Sequence, residues 1–323
     1  MVRRMYNDIR KFGIMEEVYF VFSKLFDEEA YSTLYMQERD KVYSGLSSAE
    51  LKNEISEMYR IAMNREIDLD NPISFTEKIQ WLKIYDNVEA KKTLADKYCV
   101  RKWIEKKIGK EYLIPLLGVW KNPKEFCMDL MPDSFVIKAN HGSGMNYIVK
   151  DKNAVDEKHL RKLMNYWLKR PFWAHFIEPQ YRYINKRIIA EKYVEELSGG
   201  LYDYKIHCFN GTPLFIQCIG DRDLISHTGF QQNYDLEWKK LDWIFEDYPA
   251  FTYDVKKPDC LNQMIKISEK LSAGFKYVRV DLYDIKGHVY FGEMTFTPAN
   301  GIYPYRGTWN RQVDLMLGKN IIL

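Results

Sequence analysis

The sequence lacks most of the features that identify a chemistry at first sight. Its five cysteines, Cys99, Cys127, Cys208, Cys218 and Cys260, are odd in number, scattered and without a Cys-x-x-Cys pair. That pattern excludes a disulfide framework and a cysteine zinc site, and reads as reduced thiols. There is no basic tract of about five residues or more, and the net charge is only +3, which argues against nucleic acid as a partner. No apolar run approaches the roughly 18 residues of a membrane span. The N-terminus carries Arg3 and Arg4 but no apolar segment leading to a small-residue cleavage site, so no secretory signal is read there. Repeats and low-complexity tracts are absent. So are the helix-opening glycine turns of a P-loop or a Rossmann unit. No Ser-His-Asp or reactive-cysteine motif stands out.

What is present is an ordinary globular composition. The 323 residues are 46% hydrophobic and 29% charged, enough for one large domain or two to three small ones. Aromatic content is high at 15%, with 24 tyrosines, which favours dense packing or sticky clefts. Residues 1–70 read as helical and polar. The apolar patch Val18–Phe22 within them is either a helix docking on the main body or a contact with a partner or membrane surface. Ser74-Phe-Thr-Glu77 is a capping box that starts a helix through Tyr85, with Phe75, Ile79 and Leu82 as its apolar stripe. A further helix is expected over 89–106, carrying Asp96, Lys97, Tyr98 and Arg101. Leu113–Trp120 reads as a strand interrupted by Pro115.

The stretch Phe135–Val149 holds two apolar runs joined by His141-Gly142-Ser143-Gly144. Lys138 ends the first run. Uncovered amides in such a turn form an anion nest, and the ammonium adds a full positive charge. Taken alone the pattern reads first as a plain hairpin, with a phosphate cover as the sharper alternative. A helix follows over 156–169, then an irregular aromatic segment at 171–187. Arg187–Val194 is an apolar strand leading into Glu195 and Glu196. Asp203–Ile219 is a hairpin turned by Asn210-Gly211, a strand pair is expected near 230–238, and a helix over 258–272. Tyr277–Pro298 forms a second hairpin. There Arg279 and Asp281 share a face, and Glu293 on the returning strand can lie opposite Asp281. Two facing carboxylates repel unless a cation sits between them, which makes Asp281 and Glu293 candidate Mg²⁺ ligands. A cross-strand ion pair between Arg279 and Glu293 on a solvated sheet face is the plainer alternative.

The order of these pieces resembles the ATP-grasp superfamily, and more narrowly the TupA-like (teichuronopeptide biosynthesis) family. The carrying segments are Asn71-Pro-Ile-Ser-Phe-Thr-Glu-Lys-Ile-Gln-Trp-Leu-Lys, Ala95-Asp-Lys-Tyr, Tyr112-Leu-Ile-Pro-Leu-Leu-Gly-Val-Trp, Arg187-Ile-Ile-Ala-Glu, Asp203-Tyr-Lys and Val278-Arg-Val-Asp-Leu-Tyr. The resemblance spans about residues 70–318. It implies an α+β ATP-grasp fold with two subdomains that clamp ATP, behind a helical extension at 1–70. The subdomains would be 71–194, bearing the flap, and 195–323, bearing the metal site.

The resemblance also implies roles, and ATP and Mg²⁺ as cofactors. Lys138, with Lys97 and Arg101, would reach the phosphates, and His141, Gly142, Ser143 and Gly144 would form the flap over them. Glu191, Lys192, Tyr193 and Val194 would be the hinge that reads adenine, and Glu195 or Glu196 would take the ribose hydroxyls. Lys205 would contact phosphate or the intermediate, Arg279 would stabilise an oxyanion, and Asp281, Glu293 and Thr295 would hold Mg²⁺. The family pattern has Asp and a further Gly in the flap where this chain has Gly142 and Met145, and many relatives have Asn where Thr295 stands.

The implied reaction is carboxylate–amine ligation through an acyl phosphate in surface-polysaccharide assembly, joining an amino acid or other amine to a uronic-acid unit. Candidate substrate contacts are the segment 171–187, Arg222 and His227. The implied setting is cytoplasmic, with peripheral membrane or protein contact through residues 1–70 left open. Two rivals stand beside it. One is a glycosyltransferase using Asp221-Arg-Asp223 as a metal motif; the other is a non-catalytic ATP-binding scaffold.

Overall fold

The computed structural model describes residues 28–86, 89–194, 202–223, 228–245 and 248–323. The apolar patch Val18–Phe22 and the candidates Glu195, Glu196 and His227 lie outside the described residues, as does the side chain of Arg222. In chain order the helices are α1 (Glu28–Ser44), α2 (Ser48–Met63), α3 (Phe75–Tyr85), α4 (Glu89–Ala95), α5 (Val100–Lys107), α6 (Glu157–Lys169), α7 (Leu261–Ser272) and α8 (Arg311–Gly318). The strands are β1 (Leu116–Trp120), β2 (Phe135–Ala139), β3 (Asn146–Val149), β4 (Ile188–Lys192), β5 (Asp203–Phe209), β6 (Thr212–Asp223), β7 (Thr228–Tyr234), β8 (Tyr277–Ile285) and β9 (His288–Thr295). The fold is α+β, with two antiparallel sheets and helices at the N-terminal end. Among the described residues no helix is long and apolar enough to cross a membrane.

The chain forms two compact units, each assembled from three segments. Among the described residues, the first comprises 28–65, 89–98 and 116–193; the second comprises 66–86, 99–115 and those from 194 to 323. Sequence reading had divided the chain into three consecutive blocks. The observed units interleave because α3 packs with α8, far away in sequence.

In the first unit the sheet order is β1-β4-β2-β3. Alternation along β2 sends Phe135, Ile137 and Ala139 into a core with Leu160, Met164 and Trp167 of α6, while Val136 and Lys138 take the other face. Asp156 caps α6 by accepting from the amides of Lys158 and His159. Helix α1 buries Met36, Arg39 and Tyr43. It is tied down where Arg39 Nε donates to the Ala174 carbonyl (3.1 Å) and Trp173 Nε1 donates to Asp40 (2.7 Å).

The second unit is built on a five-stranded sheet, β7-β6-β5-β8-β9. Asn210 and Gly211 both adopt positive φ (48° and 81°), the conformation a two-residue hairpin turn requires, and they fix the β5–β6 register. Helix α7 buries Leu261, Met264, Ile267 and Leu271. The Ser74 capping box opens α3 as expected, with the Glu77 carboxylate returning to the Ser74 amide (3.0 Å). Phe75, Ile79 and Leu82 then enter an aromatic core with Phe209, Phe215, Trp243, Phe245, Tyr277, Tyr303 and Trp309.

Two elements differ from the sequence reading. The single helix expected over 89–106 is two, α4 and α5, because the Asp96 carboxylate accepts from the Tyr98 amide (2.8 Å) and draws the backbone out of the helix. The strand pair expected near 230–238 is one strand, β7. There Asp235 accepts from the amides of Glu237 (3.0 Å) and Lys239 (2.7 Å) and turns the chain.

Candidate functional site

The second unit lines up its charged residues by strand register. Lys205 on β5 pairs with Asp281 on β8, and Asp281 pairs with Glu293 on β9. Gln217 on β6 continues the row on the other side of Lys205. The neighbouring row is Phe215, His207, Arg279 and Thr295. Directly paired residues project from the same face, so one side of the sheet carries two cations, two carboxylates and a hydroxyl.

These groups are in contact. Arg279 grips Asp281 with two nitrogens, Nε to Oδ1 at 2.6 Å and a terminal nitrogen to Oδ2 at 2.7 Å. Lys205 Nζ donates to the same Oδ2 at 2.6 Å. Arg279 also donates to Thr295 Oγ1 (3.1 Å) and lies 3.5 Å from Glu293 Oε1, which accepts from the Thr295 hydroxyl at 2.9 Å. The plainer sequence alternative, an ion pair of Arg279 with Glu293, is present at 3.5 Å, but on a largely buried face where the closer partner is Asp281, which is 2% exposed. Burial alone would ease deprotonation of Arg279. The Asp281 carboxylate more than offsets this and holds the guanidinium well above its ordinary value.

The donor set facing a cation here is all oxygen, from two carboxylates and a hydroxyl, and that suits a hard ion such as Mg²⁺. Among the described residues there is no group of three or more His, Cys, Asp or Glu side chains that could hold a metal. The two carboxylates are also not equivalent. The Glu293 side chain is 34% exposed, whereas both oxygens of Asp281 already accept from Arg279 and Lys205. Glu293 and Thr295 supply the more exposed oxygens for a cation, and Asp281 would join them only by giving up bonds to Lys205 and Arg279. Beneath the row, His207 is fully buried against Phe215 and accepts or donates at Nδ1 to the Tyr277 hydroxyl (2.8 Å). Burial, with Arg279 close by, holds His207 well below its usual value. Arg101 of α5 donates to the Ile114 carbonyl at 2.7 Å.

The first unit brings together another group. Lys138 Nζ donates to Glu191 Oε2 at 2.7 Å across the β2–β4 pair. The turn after β2 is fastened at its base and open at its tip: His141, Gly142 and Met145 are buried, Ser143 and Gly144 exposed. His141 Nε2 lies 3.1 Å from the Trp167 carbonyl and 3.2 Å from that of Arg170. Burial pushes its imidazole down to about 3, with the charges of Lys186 and Lys97 acting in the same direction. The ring is thus neutral and turned into the protein rather than out over the turn. A Cβ on Gly142 would come within 2.4 Å of the Phe172 ring, so only glycine fits. Lys97 Nζ donates to the Gly142 carbonyl at 2.8 Å. Lys192 is exposed, while Tyr193 and Val194 are buried.

Sequence reading missed Asn140, the residue just before His141. Asn140 is 0% exposed and joins the turn to Asp96 and to residues 185–187. The signal was an amide side chain directly after an alternating strand, at a place where the chain reverses. Among the substrate candidates, Asp221 accepts from the Tyr253 hydroxyl at 2.5 Å.

A family model described as TupA-like ATPgrasp matches residues 77–322. A search of the curated proteins finds no match. Solved structures with a similar fold include a D-alanine–D-alanine ligase from Helicobacter pylori, at 16% identity and a TM-score of 0.41, covering 76% of this chain and 69% of that one. A D-alanine–D-alanine ligase from Bacillus anthracis aligns at 17% identity and a TM-score of 0.39, covering 70% and 66%. An L-amino acid ligase from Bacillus licheniformis aligns at 15% identity and 0.38, covering 65% and 42%. The alignments thus span about two thirds of the two D-alanine–D-alanine ligases and less than half of the L-amino acid ligase.

Proposed function

Because the chain belongs to the TupA-like ATP-grasp family, we propose that it is an ATP-dependent carboxylate–amine ligase. The observation that carries the reading is the register row Lys205, Asp281, Glu293, with Arg279 held against Asp281. Such a row supplies what phosphoryl transfer needs: fixed cations for developing charge, and carboxylates beside them to hold a counter-ion. No nucleophilic side chain is required.

In the first step a substrate carboxylate oxygen attacks the γ-phosphorus of ATP, and the bond to the β,γ-bridging oxygen breaks. This gives an acyl phosphate and ADP. In the second step an amine attacks the acyl carbon, loses a proton and expels phosphate, leaving an amide. Lys138, Lys97 and Lys205 neutralise phosphate oxygens, with Arg101 a further candidate. The exposed amides around Ser143 and Gly144 cover the phosphates, and His141 and Gly142 hold that turn in place. Glu191, Lys192, Tyr193 and Val194 line the purine, and Glu195 or Glu196 takes the ribose. Arg279 stabilises the tetrahedral oxyanion of the second step. Glu293, Thr295 and Asp281 would hold Mg²⁺, which when bound neutralises the transferring phosphoryl group.

The acid is a uronic-acid unit of a surface polysaccharide and the amine an amino acid, as the family resemblance implies, with Arg222 and His227 as candidate contacts. Arginine suits a carboxylate through its bidentate fork. The test is ADP formation by the purified chain over a panel of uronic acids and amino acids. ADP that requires both an acid and an amine supports the ligase. Release of UDP from a nucleotide-sugar without ATP identifies a glycosyltransferase instead, and ATP binding without turnover for any pair identifies a scaffold.

A further inference from the structure

Asn140 spends every polar atom it has on holding three separate segments together. Its amide donates to the Arg187 carbonyl (3.0 Å), and its carbonyl accepts from the Lys97 amide (3.0 Å). Its Oδ1 accepts from the Arg187 amide at 2.7 Å. Its Nδ2 donates to Asp96 Oδ1 at 2.8 Å and to the Asn185 carbonyl at 3.0 Å. The residue is 0% exposed. The three segments are the break between α4 and α5, the turn after β2, and the approach to β4.

Each segment delivers a cation. Lys138 precedes Asn140 by two positions. Lys97 is fixed at both ends by the same turn, its amide on Asn140 and its ammonium on the Gly142 carbonyl (2.8 Å). Arg187 lies over the Tyr98 ring (4.9 Å to the centroid) and 3.8 Å from Asp96. Lys186, beside it, is partly buried, and its charge acts on His141 together with that of Lys97. Glu191 offsets Lys138 and Asp96 lies beside Arg187, and the neutral, fully bonded Asn140 ties the backbone of the three segments together. An amide can donate to Asp96 and to the Asn185 carbonyl and accept from Arg187 at once; a hydroxyl has one proton to donate and an ionised carboxylate none.

We infer that Asn140 is a positioning residue which sets Lys97 and the turn 140–145 for the triphosphate of a nucleotide. The inference rests on the proposed ATP-dependent reaction and goes beyond it: Asn140 touches no phosphate and acts through Lys97. Asn140→Asp keeps the shape but turns an oxygen towards Asp96 Oδ1 and the Asn185 carbonyl, where a donor is needed. Repulsion there opens the clasp.

Binding of ATP and of adenosine to the full chain, each followed by calorimetry, tests this. Asn140→Asp is expected to weaken ATP by about ten-fold or more and adenosine by less than about two-fold, the size expected from the loss of one charge-assisted phosphate contact. Lys97→Ala is expected to give the same triphosphate-selective loss, and the double variant is expected to bind ATP no worse than the weaker single variant, because both remove one arrangement. Should Asn140→Asp fail to fold, Asp96→Ala opens the clasp from the other side and carries the same expectation. Equal losses for ATP and adenosine, or additive losses in the double variant, overturn the inference. Failure of the wild-type chain to bind ATP at all overturns the nucleotide reading itself, a result distinct from normal ATP binding by the Asn140 variants.

Discussion

Lys205 and Asp281 occupy directly paired positions on β5 and β8, and the lysine ammonium lies 2.6 Å from a carboxylate oxygen that Arg279 also holds. One buried carboxylate therefore balances two cations. The arrangement makes Asp281 a structural keystone of this sheet face as well as a candidate metal ligand, and the two roles can be separated by experiment.

Asp281→Ala strands two buried cations without their main counter-charge. Removing one partner from a buried network costs about 3–5 kcal/mol, because desolvation of the remaining charges is no longer compensated. Denaturant unfolding should show a loss of that order. Adding Arg279→Met to Asp281→Ala should recover part of it by removing one of the stranded charges, even though the double variant is inactive.

Glu293 is the more exposed carboxylate; it accepts from the Thr295 hydroxyl at 2.9 Å and lies 3.5 Å from Arg279. Glu293→Gln is expected to abolish turnover, by about 10²-fold or more, while leaving adenosine affinity near wild type. Normal activity in this variant would show that Glu293 holds no essential cation.

His141 gives a pH signature. Its folded value is depressed to about 3 by burial, against the ordinary 6.5, with Lys186 and Lys97 facing it and the Arg170 and Trp167 carbonyls opposing. Between those values the unfolded chain binds the extra proton. The stability held by a neutral His141 is therefore fully present above about pH 6.5 and is lost as pH falls towards 3. His141→Gln keeps a donor for the two carbonyls but cannot titrate. Its unfolding free energy should fall less steeply with acid, by roughly one proton's worth of slope. His207, also depressed by burial, should preserve the remainder.

A control lies away from the charged row. The fully buried Asp314 accepts from the Thr76 amide and hydroxyl (both 2.8 Å) and from the Tyr305 hydroxyl (2.6 Å). Asp314→Ala leaves these donors unpaired and should cost about 3 kcal/mol. ATP affinity measured well below the unfolding midpoint should stay unchanged.

Much of this was legible in the sequence where local rules decide. Asn210-Gly211 and the turn ending at Gly287 set two hairpins, and the second turn carried Asp281 to its position opposite Glu293. The Ser74–Glu77 capping box placed the start of α3. What was not legible depends on contacts distant in sequence. No local signal says that β5 lies beside β8, so the capture of Asp281 by Lys205 could not be read, and the closer bond of Arg279 to Asp281, beside its ion pair with Glu293, went unread. Lys138 and Glu191 were each chosen, but their contact requires β2 beside β4. Asn140 escaped notice because all its partners come from segments far apart in the chain. The helix break at Asp96 went unread because a side-chain-to-amide bond competes with helix in a way composition does not reveal.

The most direct measurement of the central claim follows one oxygen atom. An active acid substrate labelled with ¹⁸O in its carboxylate is converted with ATP and an amine, and the released phosphate is analysed by mass. An acyl phosphate intermediate transfers one labelled oxygen to each phosphate released, and that is the predicted result. Unlabelled phosphate accompanying ADP, or formation of AMP in place of ADP, would contradict it.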